Sequence, residues 1–136
     1  MDAKIGQLSC ASLLAFSVKE KDQARVQELL VQARQLAKDA KEMDPDNPRL
    51  LWVLGPNLWY IPPERGGGED KAMAIYEKGL ATIRSRKSQS DPLAPSWGEP
   101  GLLMDLAWSN LNRKTPDLKA AENYANSASV IVPDWH

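Results

Sequence analysis

The chain of 136 residues has one cysteine, Cys10, and one histidine, His136. A single thiol excludes an internal disulfide framework and a cysteine-cluster zinc site. A single imidazole, at the last residue, leaves no two-histidine metal site within one chain and argues against a Ser-His-Asp triad. Charge of one sign is missing as well: 17 Lys plus Arg stand against 18 Asp plus Glu, for a net charge of −1. That balance excludes a strongly basic nucleic-acid binder and an acidic solvating tail as the main identity. No run of about 18 apolar residues is present, so no segment is expected to span a membrane. The short apolar stretch 8–16 contains Cys10 but does not fit a lipoprotein signal. No basic region or long apolar segment precedes it, and Gln7 stands where an aliphatic residue would be expected. Cys10 is instead expected as a buried thiol on a core-facing helix. The expected compartment is the cytoplasm, or the periplasm if a native precursor carried an export signal.

Valine, isoleucine and threonine are sparse, while Ala, Leu, Lys, Gln and Glu are frequent, which favours helix over strand. Ile5, Leu8, Ala11, Ala15 and Val18 recur at helical spacing and place a first helix over 2–18. Asp22 caps a second helix reaching Met43, with Val26, Leu29, Leu30, Ala33, Ala37 and Ala40 inward. Pro45 and Pro48 close it. Asn47 caps a third helix that opens on Pro48 and carries Leu50, Leu51, Leu54, Leu58 and Ile61 before Pro62-Pro63. After a loop over 64–68, a fourth helix covers 69–86, with Ala72, Ile75, Tyr76, Gly79, Leu80 and Ile83 on one side. An irregular connection over 88–98 leads to a fifth helix over 99–112 and a sixth over 116–132. The prediction is all-α: six helices in three antiparallel pairs, one domain over 1–136, in units of 1–45, 46–87 and 99–135.

The pairs repeat. Ala33, Ala37, Ala40 and Pro45 have the same spacing as Ala121, Ala125, Ala128 and Pro133. Ala72, Tyr76 and Gly79 reproduce the first three positions in the middle unit. Small residues so spaced share one helix face and admit a close neighbour, and the proline ends the unit. Self-similarity of this kind signals a helical solenoid.

The pattern resembles the tetratricopeptide repeat (TPR), a helix-turn-helix unit of about 34 residues with small residues on its second helix and a closing proline. Leu54-Gly55 falls where that repeat has its Leu-Gly pair, and residues 44–47 resemble its inter-repeat connector. Ala72 follows Ala33 by 39 residues, and Ala121 follows Ala72 by 49. The excess falls in the Gly66-Gly67-Gly68 loop and in the 88–98 connection. The first helix has no Leu-Gly pair, the middle unit lacks the closing proline, and Trp108-Ser109 stands where the third unit should have Leu-Gly. Insertions of this kind, the three-glycine loop and a Pro-x-Trp-Gly connector are similar to a bacterial TPR subgroup that is often exported. The resemblance implies a right-handed α-solenoid.

Several features admit two readings. Gly66-Gly67-Gly68 before a helix could attract an anion. However, no strand leads into it, no GxxxxGK[ST] is present, and Glu69 and Asp70 would repel phosphate, so a plain turn is expected. Pro56 should kink its helix, or Gly55-Pro56 relieves close packing. Trp97 and Trp108 are expected to be buried, with Trp97-Gly98 pinning the long connection. Trp135 and His136 read as a packed cap or the start of a following helix. The basic run 84–87 reads as a solvated helix C-terminus.

In the family it resembles, the first helices line a concave groove at positions that here are Arg49, Trp52, Pro56, Trp59 and Tyr60. Trp52 and Trp59, seven apart, share a face one residue off the leucine stripe. They read either as an aromatic binding surface with Arg49 at its rim, or as a second packed side. Chaperone-binding TPR domains hold acidic tails with a clamp of Lys and Asn. At the matching places this chain has Arg49, Trp52, Val53 and Pro56, only one of them cationic.

No carboxylate pair or nucleophile-base pair stands at a spacing that catalysis demands. The expected function is therefore a non-catalytic protein-protein interaction or scaffold module. It would have no cofactor, metal or nucleic acid, and its partner would be a protein, a peptide or a second copy of the chain. The alternative is a small-molecule carrier or substrate-transfer subunit using the aromatic groove of Trp52, Trp59 and Tyr60. An open groove favours the first reading and a closed cavity the second.

Overall fold

The computed structural model describes residues 1–87 and 98–133. These form six α-helices, with no strand among the described residues: α1 (Asp2–Val18), α2 (Gln23–Met43), α3 (Pro48–Tyr60), α4 (Glu69–Lys87), α5 (Glu99–Asn112) and α6 (Leu118–Ile131). A short 3₁₀ turn, Pro63–Arg65, stands between α3 and α4.

The helix starts follow the predicted capping chemistry. Asp22 accepts from the Arg25 amide at 2.9 Å, and Asn47 accepts from the amides of Arg49 and Leu50 at 3.1 and 3.3 Å. Each satisfies backbone donors that the first turn leaves over. The sixth helix starts later than the sequence suggests. Asp117 is its cap, accepting from the Ala120 amide at 2.9 Å, and Pro116 lies ahead of the cap.

The repeated motif ends the same way twice. The Asp44 amide donates to the Ala40 carbonyl at 3.1 Å, and the Val132 amide donates to the Ala128 carbonyl at 3.0 Å. Asp44 is extended and Val132 has likewise left the helical region, at φ −136° and ψ 75°, as the prolines that follow favour. In α4 the corresponding residue is Arg84, which can donate to the helix, and α4 continues to Lys87.

Consecutive helices pair as α1 with α2, α3 with α4 and α5 with α6. The middle pair meets the third through α4 and α5, and the first pair meets the second on α3. Two apolar clusters result. Ile5, Leu8, Ala11 and Ala15 of α1 pack with Leu29, Ala33 and Ala40 of α2 and with Leu50 and Leu54 of α3. Ala72, Tyr76 and Leu80 of α4 pack with Leu102, Leu103 and Leu106 of α5 and Ala128 of α6. The third helix lies between them, since its Leu58 and Trp59 pack against the second cluster. Small residues set the approach: a Cβ at Gly79 would stand 3.2 Å from Leu102 and 3.5 Å from Leu51.

The basic run joins units rather than being simply solvated. Arg84 pairs with the buried Glu99 at 2.9 Å, and Arg86 pairs with Asp44 at 3.2 Å. In the glycine loop, the Gly66, Gly67 and Gly68 amides donate to the carbonyls of Pro63, Pro62 and Leu58. Those donors are used within the turn, as the plain-turn reading expects. Glu69 and Asp70 reach the third unit, accepting from the Lys114 amide at 3.1 Å and pairing with Arg113 at 3.3 Å.

Two burial expectations are corrected. Cys10 is exposed: it lies outside the Ile5, Leu8, Ala11 and Ala15 stripe that faces α2. Trp108 is 46% exposed, while Ser109 beside it is fully buried, because the core side of α5 is filled by Leu102, Leu103 and Leu106. Ile61, read from the sequence as part of the third helix, is instead its C-cap and is exposed. The readings of Trp97, Trp135 and His136 fall outside the described residues.

Candidate functional site

The leucines of α3 divide between the two clusters, so its remaining side carries Trp52, Pro56 and Tyr60 outward, with Trp59 at the edge of the second cluster. Trp52 is 38% exposed and Tyr60 is 75% exposed. Trp59 is half-buried, one side against the second cluster. Its ring meets Trp108 of α5 edge to face, with centroids 5.1 Å apart and planes at 62°. That geometry suits the aromatic quadrupole. The Trp52 indole lies against Gly101 of α5, where an added Cβ would sit at van der Waals distance, 3.6 Å. The aromatic surface therefore continues across two helices, and Met104 of α5 is exposed on the same helix.

Arg49 is placed differently from a free rim cation. It pairs with Asp2 of α1 at 3.5 Å and joins the first two units. Pro56 lies inside α3 and is exposed, while Gly55 before it is buried. A Cβ at Gly55 would overlap the Tyr76 ring, so the close-packing reading of Gly55-Pro56 holds for the glycine. Pro56 has no amide hydrogen to donate to the Trp52 carbonyl four residues back.

Beneath the aromatic surface lies an acid that the sequence did not single out. Burial pushes the Asp105 carboxyl up to about 6, and a hydrogen-bonding contact with the Trp52 indole partly offsets this. Its Oδ2 is buried without a hydrogen-bond partner among the described residues. The Tyr76 phenol is raised above its ordinary value, first by burial, then by the nearby Asp105 and Tyr60. It is a neutral group throughout the physiological range.

No protein-family model matches the chain, and no curated protein or solved structure matches it.

Chemically, the surface offers flat apolar area beside one partly exposed acid, Asp105. Among the described residues, no three His, Cys, Asp or Glu side chains cluster as metal ligands, and no helix is long and apolar enough to cross a membrane. The sequence reading missed Trp108 and Asp105. A signal for Trp108 was available: it follows Trp59 by 49 residues, the distance from Ala72 to Ala121. Asp105 had no such signal, since its burial depends on side chains brought from α3 and α4.

Proposed function

We propose that this chain is a non-catalytic interaction module of the tetratricopeptide type, and that it holds a segment of a partner protein along the aromatic side of α3 and α5. One observation carries the reading. Trp52, Tyr60 and Trp108 are exposed on helices of two units, and Trp59 links them through its contact with Trp108 while packing on the second cluster. Large aromatics half open to water are favoured where another surface covers them, and tryptophan and tyrosine dominate the energetics of such contacts.

The test is capture of a partner from the source organism, followed by direct calorimetry of the purified pair. Trp52→Ala and Trp108→Ala should each weaken the complex by ~2 kcal/mol or more, measured at a temperature where both variants remain folded. A partner held equally well by both variants is held elsewhere, and the reading then fails.

A further inference from the structure

The outward side of α1 lacks the charges a solvent-facing helix normally carries opposite its core stripe. From Ile5 to Val18 there is no Asp, Glu, Lys, Arg or His. Leu13, Leu14 and Phe16 are 68%, 44% and 67% exposed. The last helix is built differently: on α6, Lys119, Glu122, Asn123 and Asn126 are exposed. Opposite the buried Ile5, Leu8, Ala11 and Ala15, the residues Ala3, Gly6, Cys10, Leu13 and Ser17 follow at spacings of three, four, three and four. That is the period of a seam between two helices. All five are exposed except Gly6, which is partly so. A helix apolar on both sides is stable in water only when both are covered, and α2 and α3 cover one.

We propose that this side pairs with the same side of a second copy of the chain, the two α1 helices running antiparallel about a two-fold axis at Cys10. Such an interface must be complementary to itself, and three observations show that this one is. First, Cys10 is the midpoint of α1, Asp2–Val18, so the two helices overlap over their full length. Second, small residues then face large ones: Gly6 and Gln7 meet Leu14 and Leu13 of the other copy, and Ala3 meets its Ser17. A Cβ placed on Gly6 would have nothing within 4 Å, so the glycine leaves open room for a leucine. Third, the charges at the ends match. Asp2, whose side chain is 75% exposed, comes beside the exposed Lys19 of the other copy, and the same pair forms at the opposite end. A parallel pair would set Asp2 against Asp2 and Lys19 against Lys19, which disfavours it. The seam lies on α1, away from the aromatic residues of α3 and α5.

Sedimentation equilibrium of the full chain, with its thiol kept reduced, should show a monomer–dimer equilibrium with a dissociation constant tighter than ~100 μM, ~5.5 kcal/mol. Leu13→Glu sets one carboxylate from each copy into the seam and should weaken the dimer at least about tenfold, ~1.4 kcal/mol. Leu13 is 68% exposed, so this variant should keep the far-UV circular dichroism and melting temperature of the unaltered chain. A second measurement reads the axis. With diamide as oxidant, two Cys10 thiols give up two protons and two electrons to it and join as one disulfide, which requires their Cα atoms within ~7 Å. This bond should form at least about tenfold faster in the unaltered chain than in Leu13→Glu. Both results together support the proposal. A dissociation constant weaker than ~100 μM overturns it, whatever else covers α1, a lipid vesicle or a preceding segment included. A dimer that Leu13→Glu leaves intact, or that Trp108→Ala abolishes, is held elsewhere and overturns it. A dimer whose Cys10 thiols join no faster than those of Leu13→Glu overturns the antiparallel pairing about Cys10.

Discussion

The ring of Tyr76 rests directly on the backbone of Gly55, in space that any side chain at position 55 would need. The two departures compensate each other. Tyr76 stands where the first and third units have Ala37 and Ala125, and the larger ring fits because α3 presents no Cβ opposite it. Gly55→Ala should therefore destabilise the protein by about 3 kcal/mol, measured by urea unfolding. Combining it with Tyr76→Ala should restore part of the loss relative to the sum of the two single changes, because one cavity accommodates the other's methyl group. Additive costs would mean that the ring and the glycine do not share this space.

The repeated small residues should rank by burial. Ala40 and Ala128 are almost completely buried at the ends of α2 and α6, whereas Ala37 and Ala125 are partly open. Ala40→Leu and Ala128→Leu should each cost ~1–3 kcal/mol through overpacking, with smaller losses at Ala37 and Ala125. Melting curves of the four variants check the order.

Asp105 makes stability depend on pH in a definite direction. Its carboxyl is pushed up to about 6 in the folded protein, from an ordinary 3.8, so the folded state binds this proton more tightly than the unfolded chain does. Its contribution is most favourable below about pH 4, declines as pH rises towards 6, and stays reduced above that. Asp105→Asn should remove this slope. Near pH 8 it should stabilise the fold by about 2 kcal/mol, after allowance for the carboxyl's partial exposure. Near pH 4 the two proteins should be almost equally stable. Denaturant titrations at both pH values test this, and a variant less stable near pH 8 would contradict the burial assigned to Asp105.

The two stacked tryptophans should respond unequally to truncation. Trp59 packs against the second cluster, so Trp59→Ala should cost about 2–3 kcal/mol of stability, towards the lower end for a large aromatic. Trp108 touches it from the open side, and Trp108→Ala should cost about 1 kcal/mol, much of it the lost ring pair. Thermal unfolding monitored by far-UV circular dichroism separates the two.

A peptide ending in acidic side chains and a free carboxylate should not bind this surface more tightly than ~100 μM, or ~5.5 kcal/mol. Arg49 is engaged by Asp2, and the carboxyl beneath the aromatics, Asp105, carries the same sign as such a tail. A low-micromolar dissociation constant by calorimetry would refute this.

Much of the architecture follows from local chemistry that the sequence carries openly. Helix starts were legible because Asp22 and Asn47 are short acceptors placed before apolar stripes, and helix ends because Pro45, Pro62 and Pro133 cannot continue a helix. The Ala33 and Ala121 motifs mark equivalent faces because a 3.6-residue period fixes which side chains lie together. Which apolar residues are covered was decided only by tertiary structure. Cys10 and Trp108 look like core by composition, yet Cys10 lies on an exposed side of α1 and Trp108 is covered only in part, by Trp59. Trp59 is shared between cluster and surface because α3 lies between two cores. Asp105 becomes a perturbed, half-satisfied acid only when Trp52 of α3 and Tyr76 of α4 close over it. Periodicity and capping act within one helix, so the sequence by itself determined where the helices run. Desolvation depends on the neighbours of each face, so only the packing of α3, α4 and α5 determined where the site lies.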